Sequence, residues 1–285
     1  MLTVESSRMV RLPGDVLAAY PRFSLYNSPY PAHDAGCAID LYPETNDAPS
    51  PVAGEVVDTR TVRCPSKPYA AEHDHLVVVD TGEHLARILH VDPAVSPGDE
   101  VERGDSLGEM IRSGFFAPWV DNHVHLGFRP RDANPVRATG SLPLSLETDV
   151  VGVDWDGTGT VVETDDTYVV LDRPAHPDPG TFAAIASDDG RPLDGGLPHY
   201  THGGVLAGRG SVSLLGTRVG DPDGRDVDWA SVAVWANERP ATGLSLFCGR
   251  DELGAKLVFA DGHDFEVGDE LRVSIRETDD PVRLD

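Results

Sequence analysis

The sequence predicts a mostly β protein in two parts, and three observations carry that expectation. Glycine (29) and proline (23) punctuate the 285 residues at short intervals. The segments between them are short, rich in valine and often alternate apolar with polar residues, as half-buried strands do. Long helical periodicity is nearly absent. These features together argue for strands joined by tight turns.

Taken in order, Asp15–Tyr20 reads as a brief helical turn, and the first strands fall at Gly36–Leu41, Gly54–Val62, His75–Asp80 and Leu85–Val91. Asp105–Phe115 reads as a second helical turn before a strand at His123–Phe128. Further strands are expected at Gly159–Thr164, Tyr168–Leu171, Val212–Val219, Ser231–Ala236, Leu244–Cys248, Lys256–Phe259 and Glu270–Ile275. A boundary near 145–155 separates a part dense in turns and histidines, residues 1–148, from a second β run, residues 149–285. Two echoes cross it: Gly54–Thr59 resembles Gly159–Thr164, and Gly98–Val101 resembles Gly268–Leu271. We read them as shared turn chemistry.

The 48 acidic residues against 23 basic ones leave a net charge of −25, which repels nucleic acid and anionic membrane. No apolar run is long enough for a membrane helix, so no membrane insertion is expected. Only Lys67 and Lys256 are lysines, and this arginine-biased acidity resembles the proteomes of salt-loving microbes. The rival reading is an acidic face for a cationic ligand, against which the acids are spread along the chain. Cys37, Cys64 and Cys248 cannot all pair, so buried thiols are expected ahead of a Cys37–Cys64 bridge. The segment Met1–Tyr20 shows no secretory signal, which points to the cytoplasm. Oligomeric state is not legible.

Three segments carry chemistry. In Asn122–Phe128, His123, His125 and Gly127 point one way while Val124, Leu126 and Phe128 point the other. Two imidazoles standing together suit metal binding or proton transfer. In Leu85–Val91, His90 shares a strand face with Ala86 and Ile88, ahead of a run of tight turns from Ser96 to Gly108. In Tyr30–Tyr42, Asp40 projects away from Ile39 and Leu41, and burying such a carboxylate costs several kcal/mol unless a cation pairs with it. His33 lies seven residues upstream on a loop.

In this order the segments resemble the lysostaphin-type (M23) zinc metallopeptidases over roughly residues 25–130. Gly36–Val57 resembles the first metal motif and the segment after it, and His75–His90 the strands ending in an active-site histidine. Pro97–Gly108 resembles the following glycine-aspartate turns, and Asn122–Phe128 the closing His-x-His strand. The resemblance implies a duplicated barrel-sandwich hybrid fold and a Zn2+ ion held by Asp40 and His125, with His90 and His123 as unligated catalytic histidines. The family's remaining ligand falls at Gly36 here, and its glycine two residues before the Asp is Ala38. His33 is the expected substitute, with Cys37 as a fallback. One of His90 and His123 would orient or deprotonate water and the other would stabilise the oxyanion. The implied substrate is a peptide or peptidoglycan-like cross-link. The alternative is a non-catalytic protein that keeps the scaffold around a degenerate site.

Similarity to biotinyl and lipoyl carrier domains fails for want of a lysine on a suitable hairpin tip. His73 and His75 read as a solvated loop, His199 and His202 as a turn, His84, His176 and His263 as surface residues, and Trp119 as packing near the groove. No phosphate loop, Gly-x-Ser-x-Gly elbow or Cys-x-x-Cys pair occurs. After the boundary, Trp229, Trp235 and Phe247 suggest a β-sandwich or small barrel whose role the sequence does not assign.

Overall fold

A computed structural model describes residues 9–284, which are almost entirely β and divide into two compact units. The first contains residues up to Phe23 and Pro31–Thr148; the second contains Ser24–Tyr30 and the chain from Asp149 onward. Among the described residues no helix is long and apolar enough to cross a membrane.

In the first unit the strands Ala38–Tyr42, Val124–Pro130, His84–Leu89, His73–Asp80, Gly54–Arg63 and Glu100–Val101 lie side by side, antiparallel throughout. Their period-two alternation produces a dry face: Ile39, Leu41, Leu126, Ile88 and Val77 are fully buried and share one side of the sheet. Each such aliphatic side chain contributes on the order of 2 kcal/mol through burial. The opposite face receives Asp40, His125, Leu89 and Leu76 as one row of cross-strand neighbours. A smaller sheet is made by Asp47–Pro49, Ser106–Met110 and Val91–Pro93. The chain passes between the two sheets at His90, whose φ of 73° ends the strand expected to run from Leu85 through Val91.

Two other expectations are corrected. Asp105–Phe115 is not helical: Ser106–Met110 is a strand, because Gly108, at φ 134°, brings the backbone close to Asp92. Asp15–Tyr20 shortens to a single turn at Gly14–Leu17. Strand ends elsewhere shift by a few residues, and Val212–Val219 is a hairpin turned at Leu215 and Gly216, both left-handed.

The second unit is built largely on a 12-stranded sheet whose core includes Val161, Leu171, Leu193, Leu244, Leu257 and Trp229. It curls on itself: Thr217 donates its hydroxyl to the Ile275 carbonyl (2.8 Å), although their strands stand far apart in the sheet order. Ser24–Tyr30 belongs here rather than with the first part of the sequence, for a physical reason. The fully buried Asp194 accepts hydrogen bonds from Ser24 Oγ (2.6 Å) and from the backbone of Leu25 (2.6 Å) and Tyr26 (3.2 Å). All three donors lose their partner together in Asp194→Ala. We expect that substitution to destabilise the second unit by on the order of 3 kcal/mol in urea unfolding. A change below about 0.5 kcal/mol would show that the segment is held by packing alone.

Candidate metal centre

The site begins with register. His125 lies directly across from Asp40 in the antiparallel pair, so both side chains rise from the same face. Their His125 Nδ1 and Asp40 Oδ1 atoms are 2.9 Å apart. His33 arrives from a short 3-10 segment, Pro31–Gly36, broken by left-handed Ala35 (φ 56°) and Gly36 (φ 60°) just before the strand. That reversal sets His33 Nε2 3.1 Å from His125 Nδ1 and 3.4 Å from Asp40 Oδ1. His33, from the loop before Gly36, thus joins Asp40 and His125 in one cluster. Cys37 is half-buried, forms no disulfide and lies outside the cluster.

These three donor atoms fit a metal. Ligands at ~2.0–2.1 Å around a tetrahedral zinc stand ~3.3 Å apart, and the observed separations are 2.9, 3.1 and 3.4 Å. Protons satisfy the same triangle poorly: Nδ1 of His125 cannot donate to Asp40 and also accept from His33. A cation at the centre would satisfy all three lone pairs together. His33, Asp40 and His125 are each more than nine-tenths buried. Burial alone would raise the Asp40 pKa, but the charges of His123 and His33 and hydrogen bonds from His123 and His125 hold it well below the usual carboxylate range. Burial pushes His125 down to about 3, against the pull of Asp40, which leaves a neutral imidazole with a lone pair to offer.

The other two predicted histidines flank this triangle. His123 lies just before its strand, and its Nε2 is 3.4 Å from Asp40 Oδ1. Its Nδ1 must donate to the Asp121 carbonyl (2.9 Å), so in the neutral ring the lone pair falls on Nε2. His90 is 5.2 Å from His123 and 5.7 Å from His125, ring centre to ring centre. Phe116 packs its ring against both His90 (4.6 Å) and His123 (4.3 Å).

A residue that sequence reasoning missed holds His90 in place. Asp74, fully buried, accepts from His90 Nδ1 (2.5 Å), His90 N (3.0 Å) and Ser113 Oγ (2.5 Å). The run His73–His75 is therefore a strand start rather than a solvated loop. His73 is exposed and His75 half-buried, and only the residue between them enters the site. The available signal was alternation, since Asp74 shares its face with Leu76 and Val78. Of the remaining candidates, Trp119 is buried. His199 is buried and His202 exposed beside Asp228, and His84, His176 and His263 are half-buried. Cys64 and Cys248 are buried free thiols.

Residues 11–146 match the N-terminal domain, and residues 151–276 the C-terminal domain, of a family described as a domain of unknown function, DUF8155. No curated protein matches the chain.

Burial raises the Asp74 pKa, but the His90 charge and hydrogen bonds from His90, Ser113 and the His75 backbone outweigh it, leaving a value of about 2. A depressed carboxylate stabilises the fold above its unfolded value near ~3.9 and loses that contribution as pH falls through the folded value. Asp74→Asn is therefore expected to cost about 2 kcal/mol at pH 7, with the gap to the parent protein closing towards pH 2. Urea unfolding of both proteins at the two pH values reads this difference. A gap that persists unchanged in acid would assign Asp74 a role in packing, not charge.

Proposed function

The chain belongs to the DUF8155 family, and from its buried His33–Asp40–His125 cluster we propose that the first unit is a zinc-dependent hydrolase of peptide bonds. The observation that carries this reading is the triangle of donors, two imidazoles and one carboxylate, spaced for one ion. Three protein ligands are the usual complement of a hydrolytic zinc, and structural zinc takes four. Bound there, the metal would supply an electrophile for a peptide carbonyl and a means of acidifying water.

The chain's own residues supply the rest. His123, with its proton fixed on Nδ1 by the Asp121 carbonyl, presents Nε2 to take a proton. His90 is held from behind by Asp74, whose carboxylate compensates positive charge on the ring while its other nitrogen donates to a developing oxyanion. Asp74 acts as a positioning residue. Ser113 and the His90 backbone fix the carboxylate in turn. Phe116 lines both imidazoles with apolar surface, which strengthens their electrostatics. The substrate class that goes with the resemblance to M23 peptidases is a glycine-rich or cell-wall cross-link peptide.

A second reading rests on burial. The five side chains are only 3–7% exposed, which also suits an ion kept for stability in a non-catalytic scaffold.

Metal analysis and peptide hydrolysis separate the readings. Protein loaded with zinc in high salt should retain about one ion per chain, and His33→Ala, Asp40→Ala and His125→Ala should each release it. His123→Ala should keep the ion and lose about 10²–10⁴-fold in kcat/KM on pentaglycine or a cross-link peptide. Asp74→Asn should keep it and lose roughly 10–100-fold, mostly in kcat. Zinc held tightly with no hydrolysis of either peptide selects the non-catalytic reading, and absence of zinc binding defeats both.

A further inference from the structure

The sheet face that bears the metal cluster carries a second anomaly. Two residues beyond His125 on the same strand comes Gly127, and across from it on the neighbouring strand is Arg87. Arg129, two residues further along, rises from that face as a diagonal neighbour of Arg87. Both arginines are buried, 4% and 3% exposed. A chain with 48 acidic residues nevertheless offers them no carboxylate: among the described residues neither Arg87 nor Arg129 forms an ion pair. Asp80, which lies in the row of Leu85 and Arg129, is engaged by Arg131 instead (2.5 Å).

What the two guanidinium groups do touch accounts for few of their donors. Arg87 Nε donates to the Pro135 carbonyl (2.5 Å), and an Arg129 terminal nitrogen donates to the Arg137 carbonyl (2.6 Å). Each guanidinium has five N–H groups to satisfy. Arg129 Nε and Ser141 Oγ are both buried with no partner. Ser141 Oγ lies over Gly127, 3.1 Å from where a Cβ would stand, so the orphaned hydroxyl and the orphaned guanidinium nitrogen lie on the same part of the face. Like charge adds to the cost. Burial, reinforced by Arg129, lowers the Arg87 pKa to about 10, and burial with Arg137 lowers that of Arg129.

Buried cations without counter-charge are costly, and an orphaned donor beside an orphaned hydroxyl is the arrangement that an anion completes. We propose that Arg87, Arg129 and Ser141 form a binding site for a compact monovalent anion beneath the segment 134–141. The chemistry fits a halide from the medium or the carboxylate of a ligand, since both present a small negative charge to N–H and O–H donors. The site does not depend on the metal. The missing Gly127 side chain leaves open the floor beneath Ser141 Oγ, between Arg87 across the ladder and Arg129 along the strand, and Ala, the smallest substitution, would put its Cβ against Ser141 Oγ.

The full chain is titrated with potassium chloride, potassium acetate or potassium gluconate at fixed potassium concentration, with and without zinc, and its melting temperature is followed. The expected result is a saturable rise for chloride or acetate over bulky gluconate, on the order of 5 °C at a hundredfold excess over half-saturation. Saturation by chloride alone identifies an inorganic ion, and saturation by acetate identifies a carboxylate ligand. Arg129→Met should abolish the rise, and Ser141→Ala, a change with little bearing on folding, should raise the half-saturating concentration several-fold. Crystals soaked in bromide should show an anomalous peak between the two guanidinium groups if the ion is a halide. Equal melting curves in all three salts, or a rise unchanged in both variants, would overturn the proposal.

Discussion

The pairing of Ala38–Tyr42 with Val124–Pro130 is the constraint on which the first unit depends. It sets Asp40 across from His125, and because side chains alternate, it also buries Ile39, Leu41, Val124 and Leu126 on the reverse face. A one-residue slip would exchange the two sets, placing a carboxylate and imidazoles in the apolar core and leucines at the site. Folding and site assembly are therefore one event here. The hydrophobic face specifies the register, and the register brings donors from distant parts of the sequence within 3.4 Å of one another.

Much of the site was legible because strands have a fixed period. Parity alone put His123 and His125 on one face and Asp40 opposite its apolar neighbours. It failed where the backbone leaves the strand. His90 shares no strand face with Ile88, because its left-handed φ turns the chain between two sheets. His33 needed two left-handed residues to return it to Asp40, and no periodicity describes such a turn. Asp74 was passed over because flanking histidines and charges resemble a solvated loop, although Leu76 and Val78 continue its face inward. The placement of Ser24–Tyr30 with the second unit follows from Asp194, some 170 residues away in the sequence, and nothing local announces it.

Charge is distributed in two regimes. The net −25 lies largely on exposed side chains, where water and salt screen it, so single ion pairs there contribute little. Three buried carboxylates differ: Asp40, Asp74 and Asp194 each gather two or more partners, and each organises a piece of backbone or a histidine. The low-dielectric interior makes these few groups decisive, since a lost partner there is not replaced by solvent.

The same reasoning ties the two halves of the polar sheet face together. One carboxylate against a divalent cation would leave about one positive charge at the His33–Asp40–His125 triangle, and Arg87 and Arg129 add two more, two and four residues along the ladder from His125. Strand rise puts Gly127, and with it Arg87 across the ladder, about 7 Å from the His125 position. At an effective dielectric of about 20, unit charges at that distance interact by about 2 kcal/mol. A cation bound at the triangle and the arginine pair would therefore repel each other unless negative charge lay between or beside them. An anion held by the arginines would relieve that repulsion. The two buried arginines on this face, in a chain of net charge −25, thus owe their nearness to the His33–Asp40–His125 triangle to the register of a single antiparallel ladder.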